Sequence, residues 1–430
     1  MAGFLQLLKE NRNYRYTWLG QVVSEIGDHF NNIAVFSLAV QYSGGGMVVT
    51  GVLLSRAIPA IMAGPLAGVL LDRLDRKKIM IASDLVRGIV ALSFITAITN
   101  PSAKMLYLLS ALLMLASPFF TSGRASILPT ITTREQLHTA NSLTQTTQWT
   151  TLTIGTMAGG MSVSHFGYQW AFFLNAISFF VSAWCISSLR VPGGSFTAKR
   201  NSITENEIAR PWHEYVEGLR YMRSVPLLTG IAMLAVGWAT GGGAAQILFS
   251  LFGEQVFHRG AAGIGIIWGC AGVGLLCGGL IAHTIGPKLS FTGYKRTVAL
   301  CYLIHGGAYV VFSQMRSFYW ALAFIGLSRA AVAVSSVLNF SQLLRHVSDT
   351  YRGRVFSTLE TLTWGMMMLS MTGAGIASET QSPRIIGVWS GILSSMTAFY
   401  WLALEWKGRL PEPALEGVHP DEVEHHEPTV

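Results

Sequence analysis

The stretch GVLLDRLDRK (residues 68–77) carries charged side chains at five of its last six positions, and Lys78 follows directly. Apolar runs flank it on both sides, near residues 47–71 and 79–98. Each run has the roughly 20 residues that an α-helix needs to cross a bilayer. The stretch therefore predicts a short, charged loop between two membrane-spanning helices.

The same alternation of long apolar runs and charged breaks continues along the whole chain. Hydrophobic residues make up 51% of the 430 residues, and only 12% are charged, against roughly 25% in soluble domains. This composition excludes a soluble enzyme. We predict an all-α membrane protein with twelve transmembrane helices, near residues 15–42, 47–71, 79–98, 103–123, 138–163, 168–189, 225–251, 262–284, 297–313, 318–344, 355–378 and 384–405.

The distribution of Lys and Arg predicts the orientation of these spans. With the N-terminus inside, 23 of the 30 basic residues fall in cytoplasmic segments, 4 in external loops and 3 within spans. Cytoplasmic loops of membrane proteins carry this excess. The N-terminal stretch lacks the pattern of a removable signal peptide. We therefore expect a multi-pass protein of the cell membrane, the bacterial inner membrane, with both termini in the cytoplasm.

The longest break between spans divides the chain into two halves of six spans each. We predict an N-terminal bundle (1–190), a cytoplasmic linker with an interfacial helix (191–224), a C-terminal bundle (225–405) and an acidic tail (406–430). Basic stretches follow the second span of both halves, at residues 72–78 and 288–296. Such weak internal symmetry is typical of transporters built by duplication.

Several functions are disfavoured by features that the sequence lacks. The net charge of +8 does not indicate a nucleic-acid partner, because the basic residues lie between apolar blocks rather than on a compact polar domain. No phosphate-binding Gly-rich loop followed by Lys and Ser or Thr occurs, so no ATP site is expected. Cys270 with Cys277, and His425 with His426, are weak candidates for metal ligands. We predict no cofactor and no metal.

On these motifs the chain resembles the major facilitator superfamily. Residues 68–77 match the family pattern G-x-L-x-D-R-x-G-R-K/R except for Asp75, and this variant is similar to macrolide-efflux pumps and enterobactin-type exporters. Further similarities to that branch are WLGQVVSEIGDHF (18–30), SDLVRG (83–88), LPTITTREQLHTANSL (128–143), EGLRYMRSVPLL (217–228) and RGRVFS (352–357). The resemblance implies the major facilitator fold, with two six-helix bundles.

One family motif that is associated with exporters is altered here. GTMAGG (155–160) corresponds to G-P-x-x-G-G, with Thr156 in place of the proline. Export remains the expectation, with less support from this motif.

The charges near the 68–77 stretch predict a gate. The Asp72 carboxylate can meet the positive end of the helix that begins near Arg354 and so latch the halves together inside; alternatively, the basic residues only set the topology. Asp84 and Arg87, three positions apart, predict a mutual pair or a link to this loop. The predicted gate residues are Gly68, Asp72, Arg73, Arg76, Asp84, Arg87 and Arg354.

Ionisable residues inside spans are candidates for proton coupling. Glu25, Asp28 and His29 share one face of the first span, where charged groups are costly. Asp28 is the preferred proton carrier, and Glu25 and Glu360 are further candidates. The alternative is a buried ion pair that fixes helix packing, with Arg56 as its partner.

The remaining polar and aromatic residues within spans predict a substrate cavity. Arg329 could hold an anionic substrate group or the coupling carboxylate. Asn141, Gln145 and Gln148 define a polar helix face, and mid-span tryptophans suit amphipathic substrates, although packing between helices explains each tryptophan equally well. The predicted cavity residues are His29, Arg56, Asn141, Gln145, Gln148, Trp149, Trp238, Arg329 and Trp364.

Together these features predict a monomeric secondary transporter, not an enzyme, whose partners are a small-molecule substrate, protons and membrane lipid. Proton-coupled export of an amphipathic compound, of drug or siderophore type, is the preferred function. Import or uniport of a lipid-like or organic anion is the alternative if Arg329 and Arg56 hold the substrate. A non-transporting receptor or scaffold is disfavoured, since charges inside several spans would then serve no purpose.

Overall fold

The computed structural model describes residues 2–43, 45–190, 196, 211–347 and 349–413. This part of the chain contains no β-strand. It forms fifteen α-helices: α1 Ala2–Glu10, α2 Arg12–Ser43, α3 Gly46–Arg73, α4 Arg76–Ser93, α5 Ile95–Thr99, α6 Ala103–Ile131, α7 Arg134–Phe166, α8 Tyr168–Ser187, α9 Pro211–Ser224, α10 Pro226–Leu251, α11 Gly260–Ile285, α12 Phe291–Gln314, α13 Phe318–His346, α14 Asp349–Ala377 and α15 Pro383–Trp406.

Twelve of these helices contain 18 residues or more, one for each predicted span. Nine spans in the described part of the chain are long and apolar enough to cross a membrane. The other three are α2, α7 and α14, which contain the charged or polar runs of the first, fifth and eleventh spans. The prediction of an all-α membrane protein is therefore confirmed, with the polarity concentrated in three helices.

Several helices extend further than the hydrophobic pattern indicated. Helix α6 continues to Ile131 rather than to about residue 123, and α7 begins at Arg134 rather than near residue 138. Thr133 caps α7: its side chain accepts from the backbone N–H of Gln136, whose side chain accepts from the backbone of Thr133. This capping box satisfies two N–H groups at the helix start. As a result Arg124, which follows the predicted span 103–123, lies inside helix α6.

The connections on one side of the molecule define what we call the basic end. There the Asn11 side chain donates to the Ile131 carbonyl at 2.7 Å, and the Lys77 ammonium donates to the Leu189 carbonyl at 2.9 Å. The loop between α3 and α4 lies at this end. Because consecutive long helices alternate in direction, the connections from α2 to α3 and from α10 to α11 lie at the opposite end.

The two halves contact each other mainly at the opposite end. Helix α7 packs on α11 and, to a smaller extent, α3 packs on α14. A Cβ atom added at Gly265 would stand only 3.0 Å from the Cα atom of Gly160, and the Gly46 N–H donates to the Ser378 hydroxyl at 2.9 Å. Small residues permit this close approach of α7 and α11.

The basic end, in contrast, is open between the halves. A Cβ atom at Gly64 or Gly68 would meet no atom within 4 Å, and the Asp72 side chain is 64% exposed. Helix α9 occupies the second part of the predicted linker and packs against α14 and α10. The rest of that linker, apart from residue 196, and the acidic tail beyond residue 413 lie outside the described residues.

Candidate functional site

A cluster of acidic and basic side chains lies inside the first half of the molecule. Glu25 on α2 is its best-connected member. Its carboxylate lies 3.3 Å from the Arg124 guanidinium on α6 and accepts hydrogen bonds from Gln21 at 2.9 Å and Thr151 at 2.8 Å. These contacts join α2, α6 and α7. Arg124 was missed as a site residue because the apolar run predicted a helix that ends near residue 123, whereas α6 continues to Ile131.

Asp84 and Arg87 form a second acid–base contact, within helix α4. The two side chains are ion-paired and almost fully buried, and the Arg87 guanidinium lies between the rings of Phe120 and Phe179, at 4.5 and 4.4 Å from their centroids. This pair therefore sits inside the first half, between α4, α6 and α8. The mutual pair that the spacing of three residues predicted is therefore present. It lies two to three helical turns from the start of α4, and its part in the gate stays a prediction.

Asp28 differs from these acids in its surroundings. It is partly buried on α2, and the described residues give it no hydrogen bond and no ion pair within 4 Å. Arg87 and Arg56 are the cations that act on its carboxylate through space. The guanidinium of Arg56 lies over the Phe36 ring at 6.0 Å, and the His29 ring packs against Gly155 of α7. Asp28 is thus a carboxylate near two cations but bound to neither.

The gate residues predicted around Asp72 lie at the basic end of the first half, whereas Arg354 belongs to the second half. In the described part of the chain Asp72 has a single ion-pair partner, Arg76, at 3.9 Å. Arg76 also donates to the Ser126 carbonyl at 2.8 Å, and Arg354 lies over the Tyr351 ring at 5.6 Å. Arg73 is exposed near Gly68. Among the residues that the structure describes, no ion pair or hydrogen bond joins Asp72 to the start of α14, so the predicted latch stays a prediction.

A cavity of about 370 Å³ lies between the halves. Helix α7 contributes Trp149, α10 contributes Trp238 and Phe249, and α13 contributes Arg329. A second cavity of about 430 Å³ adjoins it through the shared residues Trp238, Val332 and Ser336. The second cavity includes Leu343 and Phe356, near the end of α13 and the start of α14, so the combined space extends toward the basic end.

The predicted substrate residues divide into two groups. Trp149, Trp238 and Arg329 line the first cavity; Trp364 and Glu360 line the second. Asn141 lines a separate space of about 90 Å³ beside Arg124. His29, Arg56, Gln145 and Gln148 line neither of the two adjoining cavities. The cavity wall thus comes mostly from the second half.

The polar run on α7 has a largely local explanation. Thr146, Thr150, Thr151, Thr153 and Thr156 each donate a hydrogen bond to the carbonyl four residues earlier. Such bonds satisfy hydroxyl groups inside a membrane helix without any ligand. Trp268, in contrast, was missed; it lines the cavity, with its ring edge-on to Phe249 at 5.0 Å. Its position in a Gly-rich, apolar span had given no signal.

Arg329 is the charged residue of the first cavity. It is 9% exposed, and its guanidinium lies 5.1 Å from the centroid of the Phe249 ring. Within the part of the chain that the structure describes, it forms no hydrogen bond and no ion pair. A buried cation inside a membrane helix is costly, so this position needs a physical reason.

Long apolar helices in two groups, with charged side chains inside and a cavity between the groups, define a membrane transport protein. The chain belongs to the Major Facilitator Superfamily, whose family model matches residues 17–371. It is therefore a transporter rather than an enzyme. Similar proteins are known by sequence and by structure.

By sequence, the uncharacterized MFS-type transporter YfiS of Bacillus subtilis (strain 168) is 27% identical over 379 residues, covering 84% of this chain and 85% of YfiS. The enterobactin exporter EntS of Escherichia coli O1:K1 / APEC is 26% identical, with 82% of both chains covered. The putative bacilysin exporter BacE of Bacillus subtilis is 24% identical, with 85% and 90% covered. Exporters are thus among the relatives, all at low identity.

By structure, the chain is similar to a bacterial homologue of the iron transporter ferroportin in an inward-facing state, with a TM-score of 0.70 and 15% identity over 91% of this chain and 98% of that one. The nucleoside transporter NupG gives a TM-score of 0.67 with 13% identity, over 92% of this chain and 99% of that one. At such identities the likeness shows the fold alone.

Proposed function

We propose that this transporter exports an amphipathic small molecule in exchange for protons, by alternating access. The substrate enters the two adjoining cavities from the basic end, and the halves then rock about the α7–α11 contact to open the opposite end. Named exporters of enterobactin and, putatively, bacilysin among the relatives support this direction of transport. The protein works as a monomer within membrane lipid.

The basic end is the cytoplasmic end in this proposal. The excess of Lys and Arg in its loops supports this orientation, in which both termini lie on the cytoplasmic side of a bacterial inner membrane. The contacts between the halves at the opposite end then correspond to an inward-open conformation. Asp72, Arg73, Arg76 and Arg354 would close the basic end in the outward-open conformation. In the described residues Asp72 pairs only with Arg76 of its own half and not with α14, which is in keeping with an open gate.

The observation that carries proton coupling is the difference between Asp28 and Glu25. A carboxylate that cycles between protonated and ionised forms must be released from its partners at some stage. Glu25 is held by a guanidinium, an amide and a hydroxyl, whereas Asp28 has no such bond. We therefore assign the coupling proton to Asp28, and Glu25 and Arg124 hold α2, α6 and α7 in register beside it.

The test is uphill transport into inside-out vesicles or proteoliposomes under an imposed pH gradient. Three probes are used: ethidium, which is cationic; N-phenyl-1-naphthylamine, which is neutral; and 1-anilinonaphthalene-8-sulfonate, which is anionic. We expect Asp28→Asn to abolish gradient-driven accumulation of every probe that the wild type accumulates, while equilibrium binding of that probe persists.

Glu25→Gln is the matched control, because it removes a charge one helical turn away. We expect it to slow uphill transport without abolishing it. Unchanged accumulation in Asp28→Asn would move the proton to Glu360, which faces the second cavity. Accumulation of none of the probes by the wild type, with proton flux measured by pyranine inside the vesicles, would contradict export of this class of compound.

Transport of an organic anion is the second candidate function. Arg329 favours it, because this guanidinium faces the first cavity and has no acidic partner there. In the proteoliposome assay, transport of the sulfonate down its own gradient without proton flux would support this function over coupled export.

A further inference from the structure

We propose that Arg329 is a specificity-determining residue that binds an anionic group of the substrate, so that the transported compounds are amphiphiles with an aromatic or apolar body and a carboxylate, sulfonate or phosphate. This inference rests on the proposed function, because it names the substrate class of the same cavity. The geometry that points to it is a guanidinium, nine-tenths buried, on the wall of the space between the halves.

The first argument is the absence of an acid near Arg329. No Asp or Glu side chain lines the 370 Å³ cavity, and in the described part of the chain no carboxylate lies within 4 Å of Arg329. The Tyr309 side chain borders a small space beside Arg329. A structural ion pair would be the simplest reason for a buried arginine. The described residues contain no such pair for Arg329.

The second argument concerns the other unpaired groups around the cavity. The indole N–H groups of Trp238 and Trp268 are buried without an acceptor, and both residues line the cavity beside Arg329. The nearby Tyr309 hydroxyl is also buried without a partner. Hydroxyl and indole N–H groups can both donate, so three unused donors lie around Arg329. The polar, uncharged residues of the cavity lining are Gln246 and Ser336. An anionic ligand would complement a guanidinium that has only neutral neighbours there.

The third argument concerns the shape of the ligand. Arg329 lies beside Trp149, Trp238 and the Phe249–Trp268 pair. Flat, rigid rings of this kind contact an aromatic or fused-ring body at low entropic cost. A guanidinium binds a carboxylate, sulfonate or phosphate through two parallel N–H donors, which a lysine cannot reproduce. The cavity therefore combines a place for an apolar body with a place for an anion.

Glu360 is the nearest acid to consider, since it faces the adjoining cavity. Helix α13 ends at His346 and α14 begins at Asp349, so the two helix ends lie at the same level. With a rise of 1.5 Å per residue, Arg329 lies about 25 Å and Glu360 about 16 Å from that level. The backbone of Glu360 is thus about 9 Å nearer the basic end, and no ion pair joins its carboxylate to Arg329 in the described part of the chain.

The test compares two probes that share one aromatic body. 1-Anilinonaphthalene-8-sulfonate and N-phenyl-1-naphthylamine differ by the sulfonate alone. Each is titrated against the purified protein in lipid nanodiscs, with energy transfer from tryptophan as the signal and empty nanodiscs as the background. We expect the wild type to bind the sulfonate at least tenfold more tightly than the neutral amine.

The variants identify the residue responsible. Arg329→Gln should weaken sulfonate binding tenfold or more and leave binding of the neutral amine unchanged, so that the preference disappears; Arg329→Lys should restore only part of it. Arg316→Gln is the matched control: it removes the same charge at an exposed position between α12 and α13. It should bind both probes as the wild type does.

Two outcomes would overturn the proposal. One is equal affinity of the wild type for the two probes, a result that does not depend on whether any variant folds. The other is an equal loss of both probes in Arg329→Gln, which would mean that Arg329 only supports the shape of the cavity.

The binding assay also separates this proposal from proton coupling, because it uses no pH gradient. Asp28→Asn should keep the preference for the sulfonate even though it loses uphill transport. If the wild type transports a probe under the pH gradient but does not bind the sulfonate more tightly than the neutral amine, only the anion site is contradicted. If the wild type prefers the sulfonate but transports no probe, only the proposed function is contradicted.

Discussion

The two halves of this transporter deal with charge inside the membrane in different ways. In the first half, Glu25 and Asp84 each have an arginine partner, Arg124 and Arg87, on their own or a neighbouring helix. In the second half, Arg329 faces the cavity and has no carboxylate beside it in the described residues. Glu25 and Asp84 are thus neutralised within the protein, whereas Arg329 is left without an opposite charge in the described residues.

This difference suggests a division of labour between the halves. Asp28 lies beside these paired acids but has no bonded partner in the described residues, so it can gain or lose a proton without breaking a contact. A cation on a cavity wall contributes to binding only when a compound brings the matching charge. Under the proposed function, ion coupling would belong mainly to the first half and substrate recognition mainly to the second.

The largest expected effect contrasts two arginine deletions. Arg87→Met leaves Asp84 buried with no cation, and breaking a buried pair in this way costs roughly 3–5 kcal/mol. Arg329→Met leaves no carboxylate behind, and its main loss is the contact with the Phe249 ring, about 2 kcal/mol or less. We expect the midpoint of thermal unfolding in detergent to fall steeply for Arg87→Met and little for Arg329→Met.

The double variant Asp84→Asn/Arg87→Met serves as the control for that contrast. It removes both charges and should recover part of the stability that Arg87→Met loses, because no unpaired carboxylate remains. Similar losses of stability for Arg87→Met and Arg329→Met would break the comparison between the halves. They would show that Arg329 contributes as much to the stability of the folded protein as Arg87 does.

The existence and order of the helices could be predicted from the sequence, because a bilayer requires apolar runs of a fixed length and loops carry the charges. The ends of several helices could not. Helix α6 continues through SGRASILPTI (122–131), where polar residues and a proline conceal the helical period. The Thr133–Gln136 capping box was a readable signal for the start of α7.

The sequence indicated which types of residue form the site, but it did not indicate which acidic and basic side chains contact each other. Glu25 and Asp28 follow from the cost of charge inside a span, but the choice of partner depends on how α2, α4 and α6 pack. Arg124 therefore remained hidden, and Arg56 was named as a partner although the structure gives it no ion pair within 4 Å of the described acids. Trp149, Trp238 and Trp364 could be named as mid-span aromatics. Only the packing shows that Trp149 and Trp238 share a cavity with Trp268 and that Trp364 lines the adjoining one.

A smaller effect is expected at the contact between the halves. In Gly265→Val the new side chain would meet the Gly160 backbone, and overpacking of this kind costs typically 1–3 kcal/mol. The cost falls only on conformations in which α7 and α11 touch at the opposite end. We expect the population to shift toward a state that is open there, measured as faster labelling of a cysteine placed at Ala261.

Gly307→Val is the matched control, since a Cβ atom there would meet nothing within 4 Å. It should leave the labelling rate unchanged. If Gly265→Val also leaves that rate unchanged, the α7–α11 contact does not hold the opposite end closed.

The smallest expected effect concerns Asp72, at the end where the halves are apart. In this conformation its carboxylate is exposed and its one ion pair is long, so Asp72→Asn should cost almost nothing here. The charge would matter only when the start of α14 comes close, and a carboxylate at a helix N-terminus is worth typically 0.3–1 kcal/mol. Since this amount falls on one state alone, the equilibrium should move severalfold toward the state that is open at the basic end.

Spin labels on cysteines at Leu74 and Ser357, in a background without the native cysteines, would measure the distance across this end. We expect Asp72→Asn to increase the share of long distances. Asp75→Asn is the sharpest control, because it makes the same charge change three residues away. Asp75 caps α4 by accepting from the Lys77 and Lys78 N–H groups, and asparagine caps a helix equally well. A shift of equal size in both variants would mean that the overall charge of the loop, rather than a contact of Asp72, controls closure.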